Sequence, residues 1–381
     1  MTAGRTVEPV VRLLSDIVAI PSMNPMGRAR SGEQYSEARL AEFVADYLRN
    51  NAIDVQIQGD ARDRPNVIAY VDAGATQTIM LEAHLDTVHA ETMTVEPFSP
   101  VIRDGRLYGR GSCDTKGSMA AFLTATTRLL GSGTGLRYNI VLVFVADEEY
   151  RFTGARRAVE HGLQATFGIA GEPTSLHIVR AHKGVTRWKT RTHGTSAHAA
   201  YPERGSNAIY AMGRVIHRLE EHAASLAGRT PHPLLGTPTL SVGVIEGGQA
   251  VNMVPDRCWI EVDRRSLPGE SAETILRSVR NVLRDIPECE CEPPYLSVDG
   301  MEVPEDTPVV RMLAEAIGQT TGEATIEAAH YATDAGIYNS AGIPTVVFGP
   351  GDIAQAHTDA EYIELSQLHQ AVDIVSNLLR R

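Results

Sequence analysis

The chain has 381 residues, enough for two domains or for one large core carrying an inserted module. Hydrophobic residues make up 43% and charged residues 22%, ordinary for a globular protein. The net charge of −12, from 47 acidic against 35 basic residues, argues against a nucleic-acid binder, which would carry a basic face.

The first twenty residues, MTAGRTVEPVVRLLSDIVAI, lack the apolar run of a signal peptide, and no stretch approaches a membrane-spanning helix in length. Cys113, Cys258, Cys289 and Cys291 have no C-x-x-C spacing and read as free thiols in a reducing cytosol, so a cytoplasmic location is expected. Apolar residues at helical spacing predict helices over 7–20 and 34–50, with Asn50-Asn51 as a stop. Short β-rich runs follow at 53–58, 66–71 and 78–83. A helix is predicted over 116–130, closed by a turn at 131–135. The run IVLVFVA at 140–146 suits a central strand buried on both faces, and 165–170 reads as another strand. The alternation favours an α/β sheet covered by helices.

The middle changes character. Strand 178–192, helix 206–226, strands 239–245 and 258–264, helix 270–284 and strand 290–296 give a βαββαβ order, the ferredoxin-like α+β pattern. Residues 230–238, with three prolines and a glycine, form a loop. The tail returns to helix 309–320, strand 345–348 and helix 364–379. A module at 178–294 inserted into a discontinuous domain, 1–177 and 295–381, accounts for this better than two domains in series.

Residues that can bind metal sit at strand ends and beside glycine turns, where a rigid sheet fixes geometry. His84 and Asp86 form H-x-D directly after the strand at 78–83, and alternation points both to one face. Asp114 lies in the glycine-rich GRGSCDTKGS, which lacks the G-x-x-x-x-G-K-[ST] spacing of a phosphate cradle. Glu148 and Glu149 end the buried strand, where carboxylates are costly unless paired or metal-bound. Glu172 follows the next strand and His357 the last one. Each alone has a plainer reading, as a solvated strand end or a surface histidine. Together, two histidines and three carboxylates at strand ends suit one cleft at a sheet edge.

The motifs AHLDTV, GRGSCDTKGSMAA, ADEE, GEPT, GTSAHAAYPERGSNAI, GGQAVNMVPDRC, DRRSLPGE and GPGDIAQAH, in this order, resemble the zinc-peptidase group of acetylornithine deacetylase, succinyl-diaminopimelate desuccinylase, aminoacylase and carboxypeptidase G2. The resemblance covers essentially the whole chain from about Val7. It implies a mixed-sheet catalytic domain with an inserted dimerisation or lid domain. It also implies two zinc ions per subunit, replaceable by cobalt or manganese, bridged by Asp114 with His84 and Glu172 on one and Glu149 and His357 on the other. Asp86 would hydrogen-bond the free ring nitrogen of His84, and Glu148 would be the general base. The peptide after the bridging aspartate is often cis in that group. His198 would stabilise the oxyanion, commonly in the partner subunit of a homodimer. Asn252 and Arg264 would contact substrate, Arg264 as a bidentate carboxylate clamp, although Arg265 stands beside it. Asp334 and Gly336 would lie near the substrate pocket, while His193 and Asp147 read as structural. The implied activity is hydrolysis of the amide bond of a small N-acyl amino acid. The alternatives are a di- or tripeptidase, a carboxypeptidase, or a catalytically silent metal-binding scaffold; no nucleic acid or membrane partner is expected. A glutamate at position 172 and the GPGDIAQAH segment lean toward the deacylases.

Overall fold

The structure, a computed structural model, describes residues 8–59 and 64–381; residue 7, the expected start of the first helix and of the resemblance, lies outside them. The chain divides into two compact units. The larger comprises the chain up to Arg180 together with Val303–Glu327 and Thr333–Arg381, and the smaller comprises Ala181–Glu302 and Ala328–Ala332. Among the described residues no helix is long and apolar enough to cross a membrane.

The larger unit is built on a mixed sheet in the order Asp54–Gln58, Asn66–Val71, Asn139–Val145, Thr78–His84, Phe167–Ala170, Thr345–Val347, Ile178–His182. The four neighbours from Asn139–Val145 to Thr345–Val347 run parallel, and the pairings outside them are antiparallel. Continuous apolar sequence explains the central position of Asn139–Val145, since every residue from Ile140 to Val145 is buried. The helix Lys116–Ser132 is buried over most of its surface and packs against Leu365–Leu379 and Pro9–Val18. It runs into the expected turn and stops at Gly133, whose φ of +68° favours glycine. Pro9 at the first helical position sets the start of Pro9–Val18.

In the smaller unit the sheet order is Thr239–Gly247, Arg257–Ser266, Gly184–His193, with Cys289–Cys291 and Leu296–Val298 both alongside the last, all antiparallel. Alternating burial along Gly184–His193 and Arg257–Ser266 gives each strand one buried face. Trp188, Ile260 and Val262 on that face pack against Met212, Val215 and Leu219 of helix Ala208–Ala227 and Ile275, Leu276 and Val279 of helix Ala272–Val282. Both helices are capped by the side chain before them. Asn207 accepts from the N–H groups of Ile209 and Tyr210, and Ser271 from that of Thr274.

Several elements differ from the sequence pattern. The run read as one strand over 178–192 is two, Ile178–His182 and Gly184–His193. A Cβ on Gly184 would stand 2.4 Å from the Gly300 nitrogen and 2.5 Å from the Val298 oxygen, so the chain passes where only glycine fits. The run at 290–296 is also split, because Pro293 and Pro294 lack the N–H that a ladder needs. A small sheet of Val101–Arg103, Arg106–Tyr108 and Tyr362–Glu364, and the helices Thr153–Glu160 and Ala335–Ser340, are short and lie outside the expected elements.

Replacing Gly184 by Ala forces these backbone atoms apart. The expected loss is about 1–3 kcal/mol, read as a lower urea midpoint; an unchanged midpoint would show that the strand can shift freely.

Candidate metal centre

Four parallel neighbouring strands end on the same edge of the sheet, so the residues that follow them converge. His84 closes Thr78–His84, Glu148 and Glu149 follow Asn139–Val145, and Glu172 follows Phe167–Ala170. His357 arrives from the loop after Thr345–Val347, itself at a positive φ of 62°. Asp114 comes from the glycine-rich loop before Lys116–Ser132, and the Asp114–Thr115 peptide is cis. Gly111 in that loop has φ +84°, and a Cβ there would meet Thr87 at 2.8 Å.

Asp114 faces two imidazoles with two different oxygens. Oδ1 lies 3.1 Å from His84 Nε2, and Oδ2 lies 3.1 Å from His357 Nε2. Around His84 stands Glu172, 3.9 Å away; around His357 stands Glu149, 3.1 Å away. His84, Glu148 and Glu172 offer ligand atoms within 4.8 Å of one another, as do His84, Asp114 and Glu149. The donors are oxygen and nitrogen only, the set that suits a hard or borderline dication. Asp86, Asp114, Glu148 and Glu172 are buried and Glu149 nearly so, and carboxylates gathered out of water repel unless positive charge lies among them. The titration of the groups reflects this. Burial and the neighbouring Glu172 hold Glu148 well above the usual carboxylate range, and burial and Asp114 do the same to Glu172. Burial would raise Asp114 too, but hydrogen bonds from His357 and His84 more than offset it and hold it low. Hydrogen bonds to Asp114 and Glu149 push His357 up to about 11. The residues present therefore fit a metal pair.

Two anticipated contacts differ. Asp86 does not hydrogen-bond the His84 ring with its carboxylate, whose Oδ1 is 3.7 Å from Nδ1. The Asp86 backbone carbonyl, 2.9 Å from Nδ1, accepts there and leaves Nε2 free to face Asp114 and Glu172. The Arg264 guanidinium is not a free clamp: the residue is 2% exposed, and its Nη2 donates to both Glu270 oxygens at 3.2 and 3.0 Å within the smaller unit. His198 is exposed in the same unit, its Nδ1 accepting from the Ala200 N–H, and the Asn252 carbonyl accepts from the Ala199 N–H. Asp334 and Gly336 are buried, and burial pushes Asp334 up to about 7. Asp147 is held by Asn24, Arg64 and Thr153, and His193 is exposed beside Glu290.

Residues 80–381 match the family described as peptidase family M20/M25/M40. The protein belongs to this family. It is 37% identical over 345 residues to the acetylornithine deacetylase of Myxococcus xanthus, covering 88% of this chain and 87% of that one. Among solved structures, an M20 metallo-carboxypeptidase from Sulfolobus solfataricus aligns with a TM-score of 0.81 at 18% identity over 98% of both chains. An aminopeptidase from Bacillus cereus aligns at 0.77 and 21% over 97% of both. A dinuclear metal-binding M20 peptidase from Bacillus subtilis aligns at 0.70 and 19%, over 97% of this chain and 96% of that one. As an M20 protein with a deacetylase relative, the chain is a hydrolase acting on amide bonds.

The M20 cluster is held by residues that carry no motif of their own. Glu361, fully buried, accepts from the N–H groups of Cys113 and Asp114 on Oε1, at 2.9 and 3.0 Å. Its Oε2 accepts from the Gly111 N–H at 3.0 Å and from Arg110 Nη1 at 2.7 Å. One carboxylate thus fixes the whole Asp114 loop. Asp86 plays the same part for the glutamates: Oδ1 accepts from the Glu148 N–H at 3.1 Å, and Oδ2 from the Glu149 N–H at 3.2 Å and Asn24 Nδ2 at 2.7 Å. Arg64 supplies the counter-charge, pairing with buried Glu37 and with Asp147 at 2.7 Å, and lying 4.0 Å from Asp86.

Glu361→Gln puts an amide where the loop offers only donors. Affinity for zinc, read by isothermal titration, is expected to fall about 10–100-fold, the usual effect of losing a group that orients a ligand. Wild-type affinity in a folded variant would remove Glu361 from this role.

Proposed function

We propose that the protein hydrolyses the amide bond of a small N-acyl amino acid, of the acetylornithine or succinyl-diaminopimelate type, with two divalent metal ions at the cluster around Asp114. The observation that carries this is the pair of 3.1 Å approaches by separate Asp114 oxygens to His84 and His357, the pattern of a bridging carboxylate. On this reading His84 and Glu172 hold one ion and Glu149 and His357 the other. Zinc suits the donors best, and cobalt or manganese would substitute. When bound, the ions supply Lewis acidity that lowers the pKa of water and polarises the scissile carbonyl.

Glu148 acts as the general base. Buried beside His84 and Glu172, its carboxylate takes a proton from the attacking water as the water oxygen bonds to the carbonyl carbon. The carbon–nitrogen bond then breaks, and Glu148 returns the proton to the leaving nitrogen. The 37% identity to a deacetylase over 88% of the chain favours an acyl group over a peptide, whereas the peptidase structures, at 21% identity or less, share the fold alone. A dipeptidase, tripeptidase or carboxypeptidase remains the second reading.

We also infer a homodimer formed through the smaller unit. Its outer strand Thr239–Gly247 is largely exposed, and Tyr210, Val244, Ile245 and Val251 stand in solvent near or on it, Val251 at 101% of its reference exposure. His198 would then serve as an oxyanion donor for the second copy, and Asn252 would contact substrate. Four free cysteines are consistent with a cytoplasmic enzyme.

The test is a hydrolysis screen of zinc-loaded protein against N-acetyl, N-succinyl and N-formyl amino acids beside simple dipeptides, with a chelated control. Chelator-sensitive release of amine from one acyl series is expected; cleavage confined to dipeptides would establish the peptidase reading. No turnover with two bound metals would leave a silent scaffold. Glu148→Gln is expected to retain both metals and lose about 10²–10⁴ in kcat; an active variant would remove Glu148 from the role of base. Mixing His198→Ala subunits with Glu148→Gln subunits should restore activity, and failure to do so would refute action across a dimer.

A further inference from the structure

Cys289 and Cys291 lie outside the cluster, on the three-residue strand Cys289–Cys291 at one margin of the smaller unit's sheet. Side chains two apart on a strand share a face, and both thiols pack against the apolar core while remaining partly exposed. The two thiols are near enough for each to shift the other's proton affinity. Thr190, opposite Cys291 in the ladder, donates its hydroxyl hydrogen to Cys291 Sγ at 3.7 Å, and Arg280 adds positive charge. The neighbouring Cys289 leads these effects and, against burial, brings Cys291 down to about 7, while Cys291 and burial move Cys289 upward. Cys113 and Cys258 are buried thiols that burial pushes up. Only at 289 and 291 does an activated thiol stand beside a second one able to resolve it, the arrangement that redox-sensitive cysteines need.

We propose that Cys289 and Cys291 form a reversible dithiol–disulfide modification site, oxidised by low-molecular-weight disulfides. The Cys291 thiolate attacks one sulfur of the disulfide, forming a mixed disulfide and expelling one thiolate. Cys289 then loses its proton and attacks the Cys291 sulfur, expelling the second. Two protein thiols are oxidised, one small disulfide is reduced to two thiols, and no other reactant is needed. Two residues along a strand span roughly 6.6 Å, at the upper end of the Cα separation of about 4.4–6.8 Å that a disulfide bridges. The ring therefore closes with a contraction that works against the pairing of Cys289 with Thr192 and of Cys291 with Thr190. Strained bonds of this kind are the easily reduced ones.

Metal-loaded protein treated with glutathione disulfide, quenched in acid and read by intact and peptide mass spectrometry tests this. The wild type is expected to lose the mass of two hydrogens within the peptide carrying residues 289–291, with recovery on adding dithiothreitol. Cys289→Ser should instead accumulate one glutathione on Cys291. An unchanged wild-type mass, oxidation falling first on Cys113 or Cys258, or no excess adduct in Cys289→Ser would each overturn the proposal.

Discussion

The gathering of Asp86, Asp114, Glu148, Glu149 and Glu172 at one buried sheet edge is the constraint on which the rest of the larger unit depends. Carboxylates in that density repel, and each costs free energy to remove from water. The fold meets this with fixed dipoles rather than with many cations. Glu361 and Asp86 hold the backbone N–H groups of the loops that carry the other acids, with Arg110 beside the first and Arg64 near the second. Such donors orient the loops without neutralising the ligand atoms, which stay available to positive charge at the centre.

The parallel strands were legible because they leave an unmistakable trace. IVLVFVA admits little but a strand buried on both faces, and once two or three such strands run parallel their carboxyl ends must share an edge. His84, Glu149, Glu172 and His357 could be placed together on that ground. What the sequence could not display was the support. Glu361 reaches Gly111 across 250 residues of chain, and its partners are backbone N–H groups, which have no residue identity. Asn24 and Arg64 sit in loops that look like any others. The atom by which Asp86 meets His84 was hidden for a related reason: H-x-D alternation puts both side chains on one face, but the carbonyl of Asp86 comes nearer the imidazole than its carboxylate.

Arg264 is the opposite case, a signal read too far. An arginine in DRRSLPGE resembles a clamp for a substrate carboxylate, but the same motif contains its partner, since Glu270 closes the turn and accepts from Arg264 Nη2 on both oxygens and from the Leu267 N–H. The motif's first task is to fasten the end of strand Arg257–Ser266 to the start of the following helix. Motifs of this kind preserve structure and function at once, and only the contacts each side chain makes separate the two.

The adjacent glutamates show how one segment can serve two purposes. Asp147 has a left-handed φ of 66°, which turns the chain sharply after the strand. Both following N–H groups are then tied to Asp86, so Glu148 and Glu149 cannot rotate as a pair and their side chains diverge. Glu149 goes to His357, and Glu148 to His84 and Glu172. Divided this way, two identical side chains occupy different electrostatic surroundings. Glu149 has an imidazole within hydrogen-bond reach that opposes the effect of its burial. Glu148 has Glu172 as its strongest charged neighbour and is driven further toward the protonated form. The division of roles proposed for the pair therefore starts from where Asp86 pins the backbone, which gives each glutamate its own imidazole neighbour.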